Sequence, residues 1–188
     1  MPGTYKTFMV DPLGALKPGL GTIIQSQLAM LFSPIVGYNN FFENNLVNFS
    51  PSAAAPVSPE LLVYFMPSRT SIVKEFVGPK ANVDLTADGF TAFSATASAS
   101  EVYVKSDDPI LLARLAFHEL MHNRLRMGDN LHMLGGLASA TVYKDTPLTT
   151  ANIKKMAAVL RNPITQWTAG IATLNSGKSD PLSEYYKV

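Results

Sequence analysis

One segment constrains the fold of this chain more than any other, the stretch SDDPILLARLAFHELMHNRLRM at positions 106–127. Its leucines recur at the spacing of a helix. Asp107 and Asp108 are candidate N-caps, and Pro109 follows them at the first helical position, where proline is favoured. Gly128 comes directly after the pattern and can adopt the left-handed conformation that commonly ends a helix. The sequence therefore predicts one long helix that ends at Gly128.

The three histidines of the chain all lie in this helix or just after it. His118, Glu119 and His122 form an HExxH motif, and residues four apart on a helix share one face, with Cβ atoms about 5–6 Å apart. Both imidazoles can therefore bind one metal ion, and Glu119 is placed beside that ion as a general base. A continuing helix would carry His132 about 15 Å beyond His122. If the chain instead reverses after Gly128, His132 can fold back and become a third ligand.

The identity of the metal and of its third ligand depends on which donors the chain offers. There is no cysteine, so any metal site here uses nitrogen and oxygen ligands. Asp129 is the alternative third ligand because it lies in the same turn, and the further possibilities are Asp145, Glu184 or no third protein ligand. Three unrelated histidines would leave the spacing unexplained. We expect one zinc ion per chain, held by the three histidines.

The motif resembles that of the zincin metallopeptidases, and it is most similar to a variant of the metzincins. In metzincins the pattern is HExxHxxGxxH, whereas here Gly128 comes six residues and His132 ten residues after His122. The resemblance covers this helix and its continuation only. It implies a zincin-like fold and a zinc peptidase that hydrolyses peptide bonds through a metal-activated water, with Glu119 as the general base.

The resemblance also implies three further parts of a peptidase site. Such enzymes often stabilise the oxyanion with a tyrosine, histidine or arginine; Tyr143 is the candidate here, followed by Tyr103 and Arg126. A strand above the active helix commonly binds the substrate, and residues 99–105 are the nearest candidate. Metzincins carry a methionine turn beneath the metal. Met156 has the expected order, but its helical pattern favours a core position.

Composition and charge exclude several functions. The formal net charge is +1 and the basic residues are spread along the chain, so the sequence lacks the basic patch that nucleic-acid binding needs. The longest apolar stretch, 19–36, contains Pro34 and several polar residues, which indicates a buried helix rather than a membrane span. The N-terminus lacks the pattern of a secretory signal peptide. We expect a cytoplasmic protein, one exported by a signal-independent route, or a piece of a larger protein.

Short β-branched and aromatic runs predict the strands. Residues 61–66 and 71–77 indicate two neighbouring strands. Residues 90–105 follow an Asp-Gly turn signal and end in an alternating pattern, while their small residues suit a weak edge strand or loop, or an open edge for a bound peptide. The asparagine-rich residues 37–49 and the proline-rich residues 50–60 are expected to be connections.

Helical patterns complete the predicted domain. Residues 150–161 and 163–174 follow the motif helix, and a polar tail occupies 175–188. No repeat or linker argues for a second domain, so we expect one domain over 1–188. The order of elements predicts an α+β fold, with a small mixed sheet packed on the long motif helix and further helices C-terminal to it.

Two functions follow from these residues. The first is a zinc metallopeptidase that acts on a protein or peptide substrate, with Glu119 and Tyr143 as catalytic residues. The alternative is a non-catalytic binding module, or a toxin-like effector domain, in which the metal serves as a staple. Glu119 favours the enzyme, because a structural metal site needs no base. No feature of the sequence indicates an oligomeric state.

Overall fold

A computed structural model describes residues 4–36, 41–47, 61–68, 86–93 and 98–160. In this part of the chain, five strands form one sheet and three α-helices accompany it. The elements in chain order are β1 (Thr4–Val10), α1 (Leu20–Val36), β2 (Phe41–Val47), β3 (Leu61–Pro67), β4 (Gly89–Phe93), β5 (Ser98–Val104), α2 (Pro109–Leu125) and α3 (Thr150–Val159). Two short 3₁₀ turns, Asp129–Leu134 and Gly136–Ala138, connect α2 to α3.

The sheet is mixed, with the order β2-β1-β3-β5-β4. All neighbouring strands are parallel except β4 and β5, which are antiparallel. Thr91 of β4 lies opposite Ser100 of β5 in this ladder. Ser100 faces α2, because its hydroxyl donates to the main-chain oxygen of Glu119. Residues directly opposite each other in an antiparallel pair point to the same face, so Thr91 also faces α2, and β4 ends the described sheet beside the HExxH motif.

Helix α2 is the central helix of the core. Residues 115–123 are all buried, so the helix is covered around its whole circumference rather than along one stripe. α1 packs on one side, where the rings of Phe32 and Phe117 have centroids 5.0 Å apart. Strands β3, β4 and β5 and helix α3 also contact α2. A helix enclosed in this way holds its side chains in fixed directions, which is the condition for a preorganised site.

The N-terminus of α2 is capped as the sequence predicts. The carboxylate of Asp108 accepts hydrogen bonds from the main-chain nitrogens of Ile110 and Leu111, at 2.9 and 3.3 Å. Pro109 occupies the first turn, where its missing N–H leaves no hydrogen bond unmade.

The prediction that Gly128 ends the helix is wrong. α2 ends at Leu125, and Arg126 adopts the left-handed conformation, with φ 54° and ψ 41°. Gly128 has φ −79° and instead precedes the first 3₁₀ turn. A non-glycine residue in this conformation costs about 1–2 kcal/mol. The reversal at Arg126 directs the carbonyl of Met127 to the ring of His122. The unfavourable conformation of Arg126 thus accompanies a hydrogen bond that orients a motif histidine.

Most of the other predicted elements in the described residues are confirmed. α1, β3, β5 and α3 match the predictions for 19–36, 61–66, the end of 90–105 and 150–161. β1 was not predicted, and β2 lies in the asparagine-rich segment expected to be a connection. Asparagine is depleted in strands, so β2 owes its position to its parallel pairing with β1 rather than to local preference. The predictions for 71–77, 163–174 and 175–188 lie outside the described residues.

The coarse fold prediction is confirmed as a mixed sheet packed on the motif helix with a further helix C-terminal to it. None of the helices in the described ranges has the length and apolar character required to cross a membrane.

Candidate metal centre

The three histidines converge on one point although they come from two elements. His118 and His122 project from the same face of α2, with ring centroids 4.7 Å apart. His132 comes from the first 3₁₀ turn, which returns the chain to the helix. Its Nε2 lies 3.2 Å from Nε2 of His122, and the latter lies 3.1 Å from Nε2 of His118.

Main-chain carbonyls determine which ring nitrogen points into this cluster. Nδ1 of His118 lies 2.8 Å from the carbonyl oxygen of Leu137, and Nδ1 of His122 lies 2.7 Å from that of Met127. A carbonyl oxygen only accepts, so each Nδ1 carries the proton and donates it. In the neutral rings, both Nε2 atoms are then bare acceptors that cannot hydrogen-bond to each other. Two lone pairs facing each other at 3.1 Å repel, and a cation between them would remove this repulsion.

The donor set and its spacing suit a metal ion. Among the described residues, the group whose ligand atoms converge comprises the three histidines, with one ligand atom from each and all of these within 4.8 Å of one another. Nitrogens bound tetrahedrally to a metal at about 2.0–2.1 Å lie about 3.3 Å apart, close to the two Nε2 separations observed. The Nδ1–H bonds to carbonyls are the usual outer contacts of a metal-binding histidine. The three histidines can therefore hold a metal ion.

Burial keeps the histidines of α2 ready to bind. It lowers the pKa of His118 to about 4, and the neighbouring His122 acts in the same direction. Burial also lowers the pKa of His122, against the hydrogen bond to Met127. A metal competes with protons for an imidazole. At neutral pH both rings are therefore neutral, and protons compete weakly for them.

A buried asparagine holds the loop behind His118. The carbonyl of Leu137 accepts from His118, and the N–H of Leu137 is shared between Oδ1 of Asn152, at 3.1 Å, and the carbonyl of Pro147, at 3.0 Å. The amide of Asn152 also donates to the carbonyl of Gly135 at 3.0 Å. Asn152 belongs to α3 and is completely buried. It thus connects α3 to the loop that orients a motif histidine.

We expect Asn152→Ala to weaken metal binding by about 10–100-fold, the usual cost of losing an outer partner of a metal ligand. The carbonyl of Leu137 would lose its support and with it the orientation of His118. Competition titration against a coloured chelator measures the change. Lys155→Ala, on the exposed part of the same helix, is the control. Unchanged affinity in Asn152→Ala would mean that Leu137 is held in place without the asparagine.

Glu119 is buried next to the cluster, between α2 and β4. The hydroxyl of Thr91 lies 2.6 Å from Oε2 of Glu119. Burial raises the pKa of Glu119 to about 8; the hydrogen bond from Thr91 opposes this shift, while the carboxylates of Glu101 and Asp88 add to it. A cation bound by the histidines would act in the opposite direction, because a nearby positive charge favours the ionised carboxylate.

The histidines and Glu119 line one open cleft of about 350 Å³. Residues 86–91 form one wall, and 140–142 together with 128–129 form the other. Lys105 supports the first wall, since its ammonium group donates to the carbonyls of Thr86 and Ala87 and pairs with Asp88. A molecule in this cleft can reach the metal ligands and the carboxylate together.

No protein-family model, curated protein or solved structure matches this chain. The zincin-like part of the fold prediction consequently remains a proposal, and so does the resemblance of the motif to metzincins.

The other predicted site residues lie in different positions. Tyr143 is 63% exposed, and the cleft wall is formed by its neighbours at 140–142 rather than by its ring. Tyr103 is buried, and its hydroxyl donates to the carboxylate of Glu101. Neither Tyr143 nor Tyr103 lines the cleft. Arg126 is the left-handed residue after α2. The role of Tyr143 stays a prediction.

Three further predictions concern the third ligand, the methionine and the substrate strand. Asp129 lines the cleft without joining the convergent ligand group; Asp145 lies in an exposed turn, and Glu184 lies outside the described residues. Met156 is a buried core residue of α3.

The prediction that 99–105 is the substrate strand is wrong, because β5 is hydrogen-bonded on both sides, to β3 and β4. In the described part of the sheet, the edge beside the cleft belongs to β4.

Sequence reasoning missed the residues that support the site. Asn152 carried one usable signal, since a Thr149-x-x-Asn152 pattern opens α3 as a capping box. No sequence signal pointed to Thr91 and Ser100. They lie in a weakly patterned segment, and their hydroxyls contact Glu119 only because β4 pairs with β5.

Proposed function

We propose that this protein is a zinc-dependent peptidase. The observation that carries the proposal is the convergence of three histidine nitrogens beside a buried carboxylate in one open cleft. Zinc is the metal that such a nitrogen-rich set most commonly binds in HExxH sites. A metal staple would need the histidines, but it would need neither a carboxylate beside them nor a cleft that leads to them.

The chemistry divides between the metal and the chain. Zinc, when bound, supplies a Lewis acid that polarises a carbonyl and makes water a stronger nucleophile at neutral pH. Glu119 accepts the proton of the attacking water as the water oxygen adds to the carbonyl carbon. Glu119 then delivers a proton to the amide nitrogen as the C–N bond breaks, so the carboxylate is regenerated.

Three features of the chain serve this reaction. The carbonyls of Leu137 and Met127 fix the ring orientations of His118 and His122. Glu119 lines the cleft while its side chain is buried. In the described part of the sheet, β4 pairs with β5 alone and ends beside the cleft, so an extended peptide is the kind of substrate that this edge can accept by main-chain pairing.

Metal removal is the direct test of the proposal. We expect the purified protein to contain close to one zinc per chain. If free zinc is near 100 times Kd before the chelator is added, the chelator should lower the melting temperature by about 5–10 °C. The reason is that the metal binds the folded form. Elemental analysis and thermal unfolding, beside a screen for cleavage of unfolded proteins, measure these outcomes. A chain without a transition metal, whose unfolding a chelator leaves unchanged, would contradict the metal site itself.

A further inference from the structure

A hydrogen-bonded group on the sheet meets the carboxylate of Glu119. Oγ1 of Thr91 lies 2.6 Å from Oε2 of Glu119, 2.9 Å from the main-chain oxygen of Glu119 and 2.9 Å from Oγ of Ser100. Ser100 lies 3.1 Å from the same main-chain oxygen, and Nδ2 of Asn123 donates to Ser100 at 3.2 Å. Strands β4 and β5 thus contact the motif through two hydroxyls.

The direction of these hydrogen bonds follows from the available protons. The side-chain amide nitrogen of Asn123 can only donate, so Ser100 accepts there and has its own proton left to give to the main-chain oxygen of Glu119 or to Thr91. Thr91 has one proton, and its shortest contact is the one to Oε2. A distance of 2.6 Å lies in the range of hydroxyl-to-carboxylate hydrogen bonds, which are stronger than neutral ones. Thr91 can therefore donate to the carboxylate of Glu119 when this group is ionised.

The same contact also suits the protonated form of Glu119. A hydroxyl both donates and accepts, so Thr91 can receive the proton of a carboxylic acid and pass its own to Ser100 or to the main-chain oxygen. A general base alternates between these two forms in every cycle. A threonine or serine at position 91 can hydrogen-bond to both the ionised and the protonated form of Glu119. A valine has the shape of threonine but can hydrogen-bond to neither form.

Gly89 shows how closely β4 fits the carboxylate. A Cβ on Gly89 would lie 2.5 Å from Oε1 of Glu119 and 2.7 Å from the main-chain oxygen of Glu101. Real Cβ atoms do not approach other atoms so closely, so the carboxyl group would have to move. Two residues of one strand therefore define the position of Glu119, Thr91 by attraction and Gly89 by the space that it leaves.

We propose that Thr91 is a positioning residue for Glu119, supported from behind by Ser100 and Asn123. The inference rests on the proposed function, in which Glu119 is the general base. If Thr91 has this role, β4 does more than complete the described part of the sheet. It sets the place from which the base acts, and a displacement of about 1 Å from that place is enough to cost roughly 100-fold in rate.

The kinetic arm of the test compares three variants of the zinc-loaded protein. Thr91→Val should lower kcat on the order of 10–100-fold with KM little changed, and Thr91→Ser should restore most of the rate because it keeps the hydroxyl. Gly89→Ala should lower kcat as Thr91→Val does. Thr22→Val, the same exchange on the exposed side of α1, is the control. All variants should keep their zinc, since none changes a ligand.

A double variant separates positioning from a general loss of structure. In the Glu119→Gln background no basic carboxylate remains to be positioned, so Thr91→Val should reduce the residual rate only slightly. A reduction as large as in the wild type would show that Thr91 acts independently of Glu119, and the inference would be wrong. A Thr91→Val enzyme with wild-type kcat, or a Thr91→Ser enzyme as slow as Thr91→Val, would overturn it equally.

A stability arm tests the contact without any activity. In the metal-free protein, Thr91→Val should lower the melting temperature by about 2–4 °C, and by clearly less when Glu119 has already been replaced by leucine. Equal decreases in the two backgrounds would mean that Thr91 and Glu119 are not coupled. If the wild-type protein with zinc hydrolyses nothing, the proposed function fails, whereas this arm still decides whether Thr91 holds Glu119.

Discussion

Glu119→Gln should retain its zinc and lose most of its activity. The exchange keeps the size of the side chain, and the amide oxygen can still accept from Thr91, so the packing between α2 and β4 should survive. The amide cannot take a proton from water, however. Removing a general base usually costs a factor of about 10²–10⁴, and we expect a decrease in kcat of that size with zinc affinity close to the wild-type value.

The chain offers a matched control in Glu101→Gln. Glu101 is a second buried glutamate, on β5, and it accepts from the hydroxyl of Tyr103 outside the cleft. Glu101→Gln removes a carboxylate that adds to the raised pKa of Glu119 but leaves Glu119 itself in place, so most of the activity should remain. Zinc content, melting temperature and kcat on one substrate should be measured for both variants. If Glu119→Gln cleaves as fast as the wild type, Glu119 is not the base. If the wild type holds zinc and cleaves nothing in a broad screen, the binding-module alternative replaces the enzyme.

The sequence was sufficient for the parts of the site that lie close together along the chain. His118, Glu119 and His122 occupy one helical turn, so the period of a helix alone brings them together. His132 could be predicted as a third ligand because the few residues after the helix limit its distance from His122. The general position of the turn was predicted for the same reason, while the residue that makes it was wrong. Glycine tolerates the left-handed conformation, but here Arg126 adopts it.

The parts that were missed depend on pairing between distant segments. Thr91 and Glu119 are 28 residues apart in sequence, and their contact exists only because Thr91 lies opposite Ser100 in the β4–β5 ladder. A shift of that register by one residue would point Thr91 away from α2. Likewise, Asn152 reaches Leu137 because α3 packs against the loop. Periodicity describes one element at a time, so it gives no information on such contacts.

β2 illustrates the same limit for the fold. Its sequence, FFENNLV, contains two asparagines in a row, which argues against a strand on local grounds. The structure pairs it in parallel with β1, and the parallel arrangement requires a long connection, which α1 supplies. Both β1 and β2 were missing from the predicted sheet, and β4 was not predicted as a strand separate from β5, whereas β3 and β5 were present.

His132→Ala should lose zinc and activity together, which distinguishes a ligand from a base. A structural zinc site of four ligands is worth about 10–16 kcal/mol, so one ligand accounts for roughly a quarter of this, and the zinc Kd should rise by a factor on the order of 10²–10³. The melting temperature of the variant should equal that of the metal-free wild type and should no longer respond to a chelator. Zinc titration and thermal unfolding measure both effects.

Met133→Ala is the control for this variant, because Met133 lies in the same 3₁₀ turn and is 89% exposed. It should bind zinc and turn over substrate as the wild type does. If His132→Ala kept its zinc, the third ligand would have to come from elsewhere, and Asp129, three residues earlier in the same turn, would be the first to replace. The Nε2 of His132 lies 3.2 Å from that of His122, which is close to the separation of two nitrogen ligands on one tetrahedral metal. We therefore expect His132→Ala to be free of zinc once free zinc is held well below its raised Kd, at a concentration where the wild type still holds the metal.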